Sequence, residues 1–169
     1  MWTLSKAHQV GELVAAIAVV LSLLFVGYEL QQNNRRQVQA TTQELVNAYT
    51  DIGTLMSQHA DLRCAYAKGI RDFSSLSGTE AIAFSSFLVS LWRVREDLYF
   101  HYLDGSVNPE IWSGFEAATR EVMQYPGFQQ WFEFRRHWYS ERFQAYIDGV
   151  MGPPADVVPF DDPACSVDG

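Results

Sequence analysis

From Leu13 to Tyr28 the chain carries no charged residue, and the run reaches back to Val10 if Glu12 is admitted at its edge. That makes sixteen uncharged residues, or nineteen with one acid, close to the ~20 that carry a helix across a bilayer. The run is apolar around its whole circumference, and only a large core can surround such a helix. A chain of 169 residues holds one modest domain beside it. A cleaved signal peptide fits poorly. Lys6 is the only basic side chain ahead of the run, and Tyr28-Glu29-Leu30-Gln31 stands where a small-residue cleavage site would follow. The expectation is an uncleaved single-pass anchor at 10–30 after a short segment, 1–9.

Seven polar residues, Gln31 to Gln37, end the run. Arg35 and Arg36 stand on that side against Lys6 and the terminal amine on the other. The positive-inside rule therefore places the C-terminal part in the cytoplasm by a margin of one side chain. Cys64 and Cys165, the only cysteines, are neither a disulfide framework nor a zinc-site spacing. Read as two free thiols, they agree with a reducing compartment, with one long-range disulfide between them as the alternative. The net charge of −8 leaves no basic surplus for phosphates, so nucleic acid is not an expected partner. The bilayer is.

No proline or glycine separates the anchor from the segment after it. Val38, Thr42, Leu45, Tyr49, Ile52 and Met56 recur at alternating spacings of four and three, a helical seam that continues the anchor to about His59. A short helix over 61–71 precedes the Ser-rich turn "DFSSLSG". Thr79 is placed to cap a helix running to Leu103, with Phe84, Leu88, Leu91, Leu98 and Tyr102 on one side. After "LDGSVNPE", Asn108 as cap and Pro109 as first residue open another to about Gln124. "YPG" closes it, and a last helix over 128–150 holds eight aromatics. Residues 152–169, with four prolines after Gly152 and clustered aspartates, read as an irregular tail. The expected fold is all-α: a transmembrane helix continuing into an antiparallel helical bundle, 31–151.

The stretch "GELVAAIAVVLSLLFVGYELQQNNRR" (11–36), "YLDG" (102–105) and the Pro126-Gly127…Trp131 element together resemble a group of bacterial membrane-anchored helical proteins of unknown function. Their N-terminal hydrophobic helix runs into a Glu-Leu-x-Gln-Asn-type segment. The resemblance implies a bacterial inner membrane and carries over no catalytic residue.

Chemistry is sparse. Asp97–His101 and Glu133–His137 are acid–histidine pairs at i, i+4, with Glu141 a turn beyond, and together they would offer ligands to a transition metal. Ferritin-like sites use Glu-x-x-His instead, so local ion pairs are the expected role. Arg135, Arg136 and Arg142 could meet an anionic headgroup or a small acidic ligand, but Glu133 and Glu141 neutralise much of the patch and structural use, stacking on aromatic faces, is the expected role. Trp131, Phe132, Trp138, Tyr139 and Phe143 read as core, with no haem-attachment motif and no cofactor expected. Ser85, Ser86 and Ser90 lie in a helix without the glycine-flanked elbow of a nucleophile. Gly11, Ala15, Ala18 and Ser22 line one side of the anchor, where a second transmembrane helix could approach closely. The sequence therefore points to a non-enzymatic accessory or scaffolding protein that meets other membrane subunits, or itself, through that helix. A small metalloprotein and a lipid-binding module are its rivals.

Overall fold

The computed structural model describes residues 2–154 and 165. Among them every regular element is helical: α1 (Trp2–Gln58), α2 (Ala60–Gly69), α3 (Gly78–Leu103), α4 (Pro109–Val122), α5 (Pro126–Arg135) and α6 (Glu141–Val150). Short 3-10 turns at Phe73–Ser75 and Arg136–Trp138 lie between them. The chain divides into two compact units, 1–40 and 41–169.

Helix α1 is unbroken through the polar collar, as the lack of helix breakers predicts. Its seam is the face that packs. Leu45 and Ile52 are buried, and Val38, Thr42, Tyr49 and Met56 are half-buried. The second unit encloses an aromatic-rich core in which Trp92, Trp131, Phe84, Phe128, Phe132 and Phe143 are fully buried. Each such ring removes roughly 150–250 Å² from water. A smaller cluster gathers Leu45, Leu98, Val107 and Trp112, with Tyr102 stacked flat on Trp112 at 4.5 Å.

The cap of α3 is Ser77 rather than Thr79. Ser77 accepts from the Glu80 amide, while the Glu80 carboxylate accepts from the Ser77 amide at 2.7 Å. That reciprocal box fixes the start two residues earlier than expected. Asn108 caps α4 with Pro109 in its first turn, as expected, and α4 ends at Val122.

The expected long aromatic helix over 128–150 is two helices. Pro126 does not terminate a segment but opens α5, where a missing amide costs nothing. The break at 136–140 has a physical cause on α3. The Arg93 guanidinium donates to the Trp138 carbonyl, and Glu96 accepts from the Ser140 amide, both at 2.8 Å. These side chains take up backbone groups that a continuous helix would have used internally. Ser140 then caps α6 by accepting from the Phe143 amide. Aromatic periodicity runs across the break because Phe132, Tyr139 and Phe143 all reach one core.

Two glycines of the "YLDG" and Pro-Gly motifs are fixed by backbone geometry. Gly105 has φ +80°, the left-handed turn conformation that closes α3. Gly127 lies against α2: a Cβ there would stand 1.7 Å from the Gly69 carbonyl oxygen, and its amide donates to the Ile70 carbonyl at 2.9 Å. The free-thiol expectation is overturned, because Cys64 and Cys165 are joined in a disulfide. Apart from Cys165 and its first few residues, the tail expected to be irregular lies outside the described residues.

Candidate functional site

From His8 to Gln37 every side chain of α1 is exposed, including Leu13, Val20, Leu23, Leu24, Phe25 and Leu30. Its most apolar 18-residue window has a mean hydropathy of 2.4 and is 0% buried. It is the one helix among the described residues long and apolar enough to cross a membrane. Hydrocarbon on all sides of a helix is a far larger apolar patch than a soluble monomer exposes. The acid at its edge has a local partner: Glu12 Oε1 lies 3.4 Å from His8 Nε2, one turn away. Ser22 donates to the Ala18 carbonyl at 2.9 Å, so the hydroxyl in the small-residue face is satisfied within the helix. At Gly11 an added Cβ would meet nothing within 4 Å. Gly11, Ala15, Ala18 and Ser22 thus form a shallow, uncovered face that asks for no polar partner.

The acid–histidine pairs are not brought together. His101 lies between Asp97 and Asp104, 3.7 Å from each. Asp104 is also held by the Ser106 amide at 2.9 Å, and hydrogen bonds from Ser106 keep its carboxyl below the usual carboxylate range. Glu133 turns to Arg136 at 3.0 Å instead of to His137. The reason is the 3-10 turn at Arg136–Trp138, which removes the α-helical spacing the pair required. Glu141 is exposed in the first turn of α6. Among the described residues no group of three or more His, Cys, Asp or Glu side chains is placed to hold a metal.

The basic cluster is largely committed. Arg136 bridges Asp148 at 2.8 Å and Glu133 at 3.0 Å, two hydrogen bonds that raise its pKa further. Arg135 stacks over Phe134 and Trp138, 4.4 and 4.3 Å from the ring centres. Arg142 is exposed and makes no ion pair among the described residues. The aromatic residues expected to be core are core, except Trp138, which remains 41% exposed beneath Arg135.

Sequence reasoning missed the most unusual polar group, Arg95. It is 4% exposed, donates to the Thr119 hydroxyl, and donates to the Tyr49 hydroxyl at 2.8 Å. Its guanidinium also faces the rings of Tyr49 and Trp92. One side chain thereby joins α1, α3 and α4 with no carboxylate partner among the described residues. Nor does the nearby Tyr146 supply a phenolate, because burial pushes its pKa up to about 12. The signal was present: Phe84, Leu88, Leu91, Leu98 and Tyr102 leave a gap in their four-three spacing, and position 95 fills it.

Trp131 of the Pro-Gly element donates its indole N–H to the Ser85 hydroxyl at 3.0 Å inside the core. With Gly105, Gly127 and the Tyr102–Trp112 stack, it accounts for the downstream motifs as architecture. Ser85 is buried and is the acceptor for that indole. No protein-family model, curated protein or solved structure matches this chain.

Proposed function

We propose that the protein is a non-enzymatic, single-pass accessory or scaffolding subunit of a bacterial inner membrane, with α2–α6 forming an antiparallel bundle beyond the anchor. The observation that carries this reading is the continuity of α1. Its first part exposes hydrocarbon on every side, while residues 45 and 52 of the same helix are buried among core side chains. A helix exposed in that way needs lipid, or the helices of other membrane proteins, around it. Short connections such as 104–108 and 123–125 favour antiparallel neighbours in the bundle. The bacterial placement follows from the resemblance of 11–36 and the downstream motifs.

Partner contact is assigned to Gly11, Ala15, Ala18 and Ser22, where small side chains let backbones approach and dispersion contacts accumulate. Ala18→Phe keeps the helix hydrophobic and so leaves insertion intact, but holds a second helix away. The test is gentle detergent extraction and crosslinking of the native and Ala18→Phe chains, followed by identification of what co-purifies. Loss of the partner in the variant is expected. An unchanged partner set would move the contact off this face of α1.

A further inference from the structure

We infer that Cys64 and Cys165 are the substrate of a thiol-oxidising enzyme and that the helical unit therefore lies on the oxidising, non-cytoplasmic side of the membrane. The inference rests on the reading of α1 as a membrane anchor. The two cysteines are 101 residues apart and are the only ones in the chain, so no other pairing within it exists. Their Cα atoms stand 5.0 Å apart, within the range that a disulfide spans without backbone movement.

The Cys64 side is fixed independently of the bond. Cys64 sits in α2, whose end is clamped where Gly127 of α5 meets the Gly69 and Ile70 backbone. The start of the C-terminal segment is held as well, since Gln129 donates to the Gly152 carbonyl at 2.9 Å. The bond joins Cys165 to α2, while Gln129 of α5 holds the Gly152 carbonyl.

Formation of the bond removes two protons and two electrons from the thiols. They pass through a mixed disulfide to the disulfide form of an oxidoreductase, which leaves as a dithiol. Such acceptors operate in the periplasm, the secretory pathway and the cell exterior, whereas cytosolic thiols are kept reduced. The charge margin for the opposite orientation is slight: Arg35 and Arg36 outnumber Lys6 by one side chain. With the thiols paired, that orientation loses its only other support.

Ala117 on α4 and Ala145 on α6 are exposed, so Ala117→Cys and, separately, Ala145→Cys each add one reporter thiol to the full chain with Cys64 and Cys165 retained. Spheroplasts of a bacterial host receive a membrane-impermeant maleimide–polyethylene glycol before and after permeabilisation. A second sample is denatured without reductant and counted for labels on a gel. We expect the reporter to label equally in sealed and permeabilised spheroplasts, and the denatured chain to take one label. Labelling confined to permeabilised cells would place the unit inside and overturn the sidedness. Three labels on the denatured chain would overturn the oxidised pair. Release of the unlabelled native chain by carbonate would remove the anchor itself, an outcome distinguishable from both.

Discussion

Replacing Gly127 with alanine should destabilise the helical unit by more than any exposed glycine replacement. The added Cβ would stand 1.7 Å from the Gly69 carbonyl oxygen, 2.8 Å from the Gly69 carbonyl carbon and 2.9 Å from that of Ile70. All three obstacles are backbone, so none can rotate away. Reaching an ordinary carbon–oxygen contact requires α5 to withdraw from α2 by roughly 1.5 Å. That movement stretches the Gly127 amide-to-Ile70 carbonyl bond, now 2.9 Å, past hydrogen-bonding range. An orphaned buried donor costs about 1–3 kcal/mol, and the forced repacking about the same. Better helix propensity returns at most ~1 kcal/mol. The net loss is about 1–5 kcal/mol, against a total stability of ~5–15 kcal/mol for a domain. Guanidinium unfolding of the detergent-solubilised full chain, followed by tryptophan fluorescence, reads it directly because Trp92 and Trp131 are buried. Gly149→Ala is the control. A Cβ there meets nothing within 4 Å, and the exchange should be neutral or stabilising by up to ~1 kcal/mol. If Gly127→Ala unfolds within about 0.5 kcal/mol of the native chain, ordinary for surface changes, the α2–α5 contact is not as tight as described.

Ser85→Ala should cost about 1–3 kcal/mol by leaving the buried Trp131 indole N–H without its acceptor, whereas Trp131→Phe with Ser85→Ala should not show the two losses added. A double-mutant cycle by denaturant unfolding checks the coupling. Hydrogen bonds from Ser77 and the Lys68 ammonium hold the Glu80 carboxyl down at about 2, from an ordinary 4.5. A depressed carboxylate stabilises above its unfolded value and loses that contribution as pH falls towards its folded one, so acid sensitivity between about 4.5 and 2 should be reduced in Glu80→Gln, measured as Tm against pH. Arg95→Met removes a buried cation without stranding a carboxylate. Melting should therefore show a change within about 2 kcal/mol in either direction, and a loss above ~4 kcal/mol would reveal a compensating anion at Arg95.

Helix existence was legible because it depends on local pattern. The seam from Val38 to Met56 and the apolar face of α3 each repeat at four and three, and both are the faces that pack. The division of the aromatic helix was not legible, because its causes, Arg93 and Glu96, lie on another element more than forty residues away in sequence. The one local signal, Ser140 as a helix cap, is outweighed by eight aromatics over 128–146. The Glu133–His137 pairing failed for the same reason: it assumed the α-helical spacing that those two side chains abolish. The disulfide was illegible in a different sense. A separation of 101 residues says nothing about proximity.

Position 95 follows the buried register of α3, and a search for apolar residues passes over it because arginine is rarely buried without a partner. Its bonds to Tyr49 and Thr119 make the point where α1, α3 and α4 meet polar rather than greasy. Apolar packing tolerates small slips between helices, but hydrogen bonds to a planar guanidinium define a register and a rotation. Within the 41–169 unit, such a fixed register sets the rotation of the C-terminal part of α1 against α3 and α4. Tyr49 is the α1 residue through which that setting is specified, since its hydroxyl accepts from the Arg95 guanidinium.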